Sequence, residues 1–220
     1  MPGTCVLCDA RIPRTHTFCT GCETALPRLT HACPQCAAPL DGVTNHIIPC
    51  GACQTWSPAF SRTFALYAYA PPVDGLIRAL KYQRRLEMAR ILGGQLAQGL
   101  MRARCRVDLV VPIPLHRTRL HERGYNQSLE LARPVARELG LPLDFNCLER
   151  TRATVSQAGL TPAERRRNVR DAFAATPAVN KLQVAVVDDV MTTGHTANAV
   201  ARCLRKAGAK DVHVWVLARA

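Results

Sequence analysis

The segment Asp188-Asp189-Val190-Met191-Thr192-Thr193-Gly194-His195-Thr196 combines two carboxylates with a hydroxyl-rich turn. It follows the apolar run Val184-Ala185-Val186-Val187 and leads into a helical pattern, so it falls where a strand passes into a helix. A helix N-terminus presents unpaired backbone N–H groups and the positive end of the helix dipole. With the hydroxyls of Thr192, Thr193 and Thr196, it can cradle a phosphate. Gly194 lets the chain turn tightly. The two acids would repel that same phosphate unless something lay between them, and a ribose does this well because carboxylates accept hydrogen bonds from its 2- and 3-hydroxyls. The pattern therefore predicts a ribose 5-phosphate unit, with Asp188 and Asp189 at one end and Thr192 to Thr196 at the other. The bland alternative is a strand that ends in two acids and a helix capped by threonines. The chain has neither a G-x-x-x-x-G-K-[ST] loop nor a G-x-G-x-x-G fingerprint. A phospho-receiver would carry its acids early in the domain, whereas one strand follows these.

The second group is made of cysteines. Eight of the 11 cysteines form four pairs, Cys5/Cys8, Cys19/Cys22, Cys33/Cys36 and Cys50/Cys53. Two intervening residues let one tight turn aim two sulfurs at one metal. Ten residues separate Cys8 from Cys19 and thirteen separate Cys36 from Cys50, which predicts pairing of the first knuckle with the second and the third with the fourth. Tetrahedral all-thiolate ligation favours Zn²⁺, and a site with no open position is structural. Two zinc ions are expected; an iron–sulfur cluster and redox-active dithiols are the alternatives. His16, His31 and His46 are possible substitute ligands. Residues 1–55 hold few large apolar groups and would form no core without metal.

The elements that must position these groups follow from apolar periodicity. Strands are predicted at about 63–69, 107–113, 184–189 and 212–218, with helices at about 73–81, 86–103, 125–138, 162–171 and 196–207. Strand alternating with helix indicates an α/β domain with a mainly parallel sheet, in which ligands bind at the C-terminal ends of strands. Pro134 should kink or split the helix that contains it. Two domains are expected: a double zinc ribbon at 1–55 and an α/β domain at 56–220.

Charge separates the same two regions. Residues 1–53 hold three basic and three acidic groups, so the formal net charge of +13 resides wholly in the rest of the chain. Within 62–170 there are 20 Lys and Arg against 9 Asp and Glu, with clusters at Lys81-Arg84-Arg85, Arg117-Arg119-Arg123 and Arg165-Arg166-Arg167-Arg170. The surplus fits a polyanion longer than a pyrophosphate, or a basic face that is simply solvated. Aromatic content of 5% offers few stacking platforms for a single strand; Tyr82 and Tyr125, beside basic clusters, are candidates, with core packing as the alternative. Without a leader-like start or an apolar run of spanning length, the chain is expected to be cytoplasmic with no membrane span.

Val184 to Thr196 resembles the signature of type I phosphoribosyltransferases that bind phosphoribosyl pyrophosphate (PRPP). The whole chain is similar to the ComF-type (ComFC, GntX-like) competence proteins. Other segments carry the likeness: Lys81-Tyr82, Val111 to His116, Glu122 to Gln127, Gln157 to Leu160 and Arg165 to Val169. The resemblance implies the type I phosphoribosyltransferase fold behind a double zinc ribbon. It implies PRPP with Mg²⁺ on the pyrophosphate, and Asp188 to Thr196 as the ribose-phosphate site. It implies a pyrophosphate loop at 114–119, with Leu115, His116, Arg117 and Arg119. Lid or anion contacts would come from Lys81, Arg123, Gln157, Arg165, Arg166 and Asn168, with 151–169 as a closing loop. His195 departs from the small residue usual in the signature. The family also implies natural transformation, incoming single-stranded DNA and a DNA translocase ATPase as partners. Transfer to an acceptor, a binding role in DNA uptake, and a zinc-ribbon adaptor role all remain open.

Overall fold

The computed structural model describes residues 3–13, 15–40, 48–152 and 172–220. Four parallel strands form the central sheet: β3 (Arg62–Ala68), β4 (Leu109–Pro112), β7 (Gln183–Met191) and β8 (Asp211–Arg219), in the order β3-β8-β7-β4. The predicted strands are all present; β7 contains both acids as expected and runs two residues further, to Met191. β7 and β8 are apolar on both faces because helices cover both. α3 (Val73–Tyr82), α4 (Glu87–Arg102) and α6 (Gln127–Leu139) pack with Ala185, Val187, Trp215 and Leu217. α7 (His195–Lys206) packs with Val184, Val186, Val212 and Val214 on the other face. The sheet is thus parallel throughout and flanked by helices, as the alternation of strand and helix predicts.

Pro134 does not split its helix; α6 continues through it to Leu139. The proline ring packs closely on α4, where Gly93 faces it. A Cβ built on Gly93 would fall 2.3 Å from Pro134 Cγ and 2.8 Å from the Leu131 carbonyl oxygen. A backbone atom cannot step aside, so Gly93→Ala should destabilise the protein by about 2 kcal/mol despite alanine's better helix propensity. Urea unfolding would measure it.

Among the elements that went unforeseen, three lie near the site. α5 (Arg117–Arg123) is polar but for the exposed Leu120 and buries nothing; it is set by its ends, with the Thr118 N–H donating to His116 Nδ1 at 3.3 Å and Gly124 in the left-handed region at φ 84°. β5 (Leu148–Arg150) pairs antiparallel with β6 (Phe173–Ala175), a contact made across many residues that no local pattern announces. The helix expected at 162–171 lies outside the described residues.

The cysteine region contains β1 (Gly3–Thr4), β2 (Arg11–Ile12), α1 (Thr20–Thr24) and α2 (Gly51–Thr55). It folds around the open edge of β3. Ala68 N–H donates to the Pro27 carbonyl at 2.8 Å, Leu29 N–H donates to the Leu66 carbonyl at 3.1 Å, and Arg28 bridges Tyr67 antiparallel. Backbone groups that would otherwise template aggregation are thereby satisfied. Among the described residues, no helix is long and apolar enough to cross a membrane.

Candidate functional site

Cys5, Cys8, Cys19 and Cys22 converge in one cluster and Cys33, Cys36, Cys50 and Cys53 in another, the sulfurs of each all within 4.8 Å of one another. This is the expected pairing of first knuckle with second and third with fourth. The donors fit zinc. A tetrahedron with Zn–S bonds of about 2.3 Å has S–S edges of about 3.8 Å. Cys8 and Cys19 stand 3.7 Å apart, and Cys36 and Cys50 stand 3.6 Å apart. Backbone N–H groups also point at sulfur, Cys50 N–H donating to Cys33 Sγ at 3.2 Å. Burial opposes ionisation of Cys33, but such donors outweigh it and bring its pKa to about 7. A thiolate is the form that binds metal.

At the C-terminal ends of β4, β7 and β8 opens a cavity of about 430 Å³, of a size suited to a small ligand. Asp188, Asp189, Val190, Met191, Thr192, Gly194, His195 and Thr196 all line it. Thr193 does not, and its hydroxyl is buried with no hydrogen-bond partner among the described residues. Asp188 Oδ1 accepts from Ser128 Oγ at 2.8 Å and from the Asp189 N–H at 2.9 Å. Asp189, 3% exposed, accepts from the Val190 N–H at 2.9 Å and faces Lys81 Nζ at 2.5 Å. Burial pushes the Asp188 carboxyl above its usual pKa, against the pull of Lys81, Ser128, Arg150 and Arg123. Burial likewise lowers Lys81, opposed by the charge of Asp188.

Gly194 caps α7 in the left-handed region at φ 75°. A Cβ there would come within 2.8 Å of Met191 Cε, so the turn accepts glycine on both conformational and steric grounds. His195 opens the helix, and its ring meets Trp56 edge-on with centroids 6.1 Å apart. The turn delivers the α7 N-terminus to the cavity, as an anion-binding cradle requires.

Of the expected pyrophosphate contacts, Leu115, His116 and Arg119 line the cavity. The Arg117 side chain is 90% exposed, 3.5 Å from Glu149, and is absent from the lining. Lys81 and Arg123 also line the cavity. Gln157, Arg165, Arg166 and Asn168 lie outside the described residues. Sequence reasoning missed Ser128, Gln127 and Arg150, which also line it. Ser128 had a faint signal, since it follows Asn126, whose side chain caps α6 by accepting the Ser128 N–H at 3.0 Å. Arg150 had none, because β5 reaches the cavity only through its pairing with β6.

The Lys81–Asp189 pair is a test of how the site is held. Lys81→Met would leave a buried carboxylate unpaired and should cost about 3 kcal/mol. Adding Asp189→Asn should recover most of that loss in denaturant titrations.

Residues 1–54 match the double zinc ribbon domain family and residues 126–220 the phosphoribosyl transferase domain family. DNA utilization protein YhgH of Escherichia coli K12 is 38% identical over 181 residues, covering 80% of each chain. Competence protein F of Haemophilus influenzae is 34% identical over 179 residues, covering 78% of each. The chain belongs to the YhgH and competence protein F family. Among solved structures, a glutamine PRPP amidotransferase from B. subtilis is 28% identical, with a TM-score of 0.41 over 58% of this chain and 25% of that one. A purine phosphoribosyltransferase from Pyrococcus horikoshii is 19% identical, with a TM-score of 0.36 over 58% of this chain and 70% of that one. In this YhgH-type chain the transferase match begins at Asn126, downstream of β3 and β4, which complete the sheet.

Proposed function

We propose that this protein binds Mg²⁺-PRPP in the 430 Å³ cavity and acts in the handling of single-stranded DNA during uptake. Two relatives are named for DNA utilization and competence. The observation that carries the PRPP reading is that Asp188 and Asp189 line one cavity with the Thr192–Thr196 turn and with Lys81, Arg119, Arg123 and Arg150. In this reading the acids take the ribose hydroxyls, the α7 N-terminus takes the 5-phosphate and the cations face the pyrophosphate. Residues 1–55 form the zinc module and 56–220 the phosphoribosyltransferase domain.

Where transfer occurs, an acceptor attacks C1 of the ribose as pyrophosphate leaves, and Lys81, Arg119, Arg123 and Arg150 stabilise the departing anion. Mg²⁺ held on the pyrophosphate would supply further neutralisation of that charge, beside Lys81, Arg119, Arg123 and Arg150. The acids orient the sugar through its hydroxyls. Arg150 Nε and its neighbours are thus binding groups, with no general base assigned.

The single-strand reading is supported by Tyr82, 72% exposed at the cavity mouth with the Arg123 guanidinium 5.5 Å over its ring. An exposed ring beside a cation suits base stacking. Tyr125 belongs to the core instead, its hydroxyl donating to the Leu80 carbonyl.

Calorimetric titration of the zinc-loaded protein with Mg²⁺-PRPP, repeated with single-stranded DNA, tests both parts. A saturable heat with Mg²⁺-PRPP is expected, together with DNA binding that weakens about tenfold in Tyr82→Ala. No heat with Mg²⁺-PRPP would remove the first part, and no DNA binding at low salt the second.

A further inference from the structure

Several links on different elements tie the phosphate turn to the second cysteine cluster: Thr63 donates to the Gln35 carbonyl at 2.7 Å and to Met191 Sδ at 4.0 Å, and two others run through Arg219 and Trp56. Arg219, at the end of β8, donates from Nε to the Cys36 carbonyl at 3.0 Å and from Nη1 to the Met191 carbonyl at 3.2 Å. One guanidinium therefore joins a cluster residue to the residue immediately before Thr192. Met191 continues the chain of contact, because its Cε occupies the space beside Gly194. The third link is Trp56, which caps the C-terminus of α2 three residues after Cys53 and packs edge-on against His195. Phe60 fills the gap between, 4.0 Å from the position a Gly194 Cβ would take.

The first cluster is placed differently. Cys5 is buried with Tyr67, Leu76 and Leu92, in the core beneath α3 and α4, whereas Ala37, Phe60 and Met191 share the core beneath α7. The two clusters thus serve opposite faces of the sheet, and the second abuts the turn.

A planar guanidinium with two fixed acceptors transmits position, because neither acceptor can shift without losing a charge-assisted bond. The Cys36 carbonyl is fixed in turn by what its side chain ligates. We propose that Arg219 and Trp56 are positioning residues that couple the Cys33/Cys36/Cys50/Cys53 cluster to the Met191–Thr196 turn. The second cluster holds the turn in its cradle shape, and the first does not. The consequence for affinity rests on the PRPP reading above; the consequence for the turn's shape does not.

Hydrogen exchange on the full-length, zinc-loaded protein reads the turn directly. Backbone amides of residues 191–198 should exchange about tenfold faster in Arg219→Met, in Trp56→Ala and in Cys33→Ser/Cys36→Ser. They should be unchanged in Cys5→Ser/Cys8→Ser, and Trp56→Phe should restore protection by keeping an aromatic edge against His195. The Kd for Mg²⁺-PRPP should rise in the same order, by about tenfold. Unaltered exchange at the turn in Arg219→Met and Trp56→Ala overturns the coupling, and those two variants decide the matter if the cysteine variants fail to fold. Loss of protection to the same extent in Cys5→Ser/Cys8→Ser also overturns it. A wild-type protein that binds no PRPP would remove the functional reading alone, with the exchange result still deciding this one.

Discussion

Asp188→Asn combined with Asp189→Asn should raise the Kd for Mg²⁺-PRPP by about 100-fold or more, since each charged acceptor lost to a ribose hydroxyl is worth about 1.5 to 3 kcal/mol. Calorimetry measures it, and an unchanged affinity would show that the acids do not hold the sugar. For Asp188→Asn alone the loss should come without a matching loss of fold, whereas Asp189→Asn also leaves the buried Lys81 without its partner. Asp188 carries a pKa raised by burial, so its ionised form is disfavoured in the native state relative to the unfolded chain. For an acid of that kind the folded state binds more protons between the unfolded value and the raised one, so stability falls as pH rises through that interval. Above the raised pKa the penalty is complete. Asparagine at 188 removes it, so ligand-free Asp188→Asn should melt no earlier than wild type at pH 7. That advantage should shrink on acidification toward the ordinary carboxylate range of about 4, where both states hold the proton. The carboxylate is retained at a cost to stability, as binding groups commonly are.

Removal of metal should have the larger effect on the fold. Structural zinc contributes about 10 to 16 kcal/mol of apparent binding free energy per site, most of it realised as folding. The cysteine region has little else to hold it, its core being small and its strands two residues long. A strong chelator should therefore release about two zinc ions per chain and render residues 1–54 sensitive to trypsin, while fragments from 62 onward persist. It should also expose the edge of β3, where Pro27 and Leu29 now make backbone bonds. Light scattering should rise with chelator as bare edges pair between molecules. A chelated protein that remained monomeric and protease-resistant would mean that side-chain packing alone holds the ribbons.

Much of this was legible in the residues because the signals were local. The four cysteine pairs announce their own metal geometry through spacing, and the structure places each quartet as the spacing implied. The apolar runs of β7 and β8 are dictated by burial on both faces, and the passage from acids to Gly194 and into a helix is written in consecutive positions. Pro134 lies within one helix, α6, and its ring packs on Gly93, 41 positions away in the chain, a contact that no local pattern announces.

The amino-acid sequence by itself determined the two thiolate quartets, the order of strands and helices, and the acid-threonine turn, since each depends on periodicity or on residues within one turn of each other. Tertiary structure alone decided which cations share the cavity with that turn: Arg119, Arg123 and Arg150 line it while Arg117 points away. It also decided that Arg219 joins Cys36 to Met191 across 183 and 28 positions. The physical reason is common to both. Long charged side chains have no periodic signature, and their partners are fixed only when packing of the apolar core brings distant strand ends to one place.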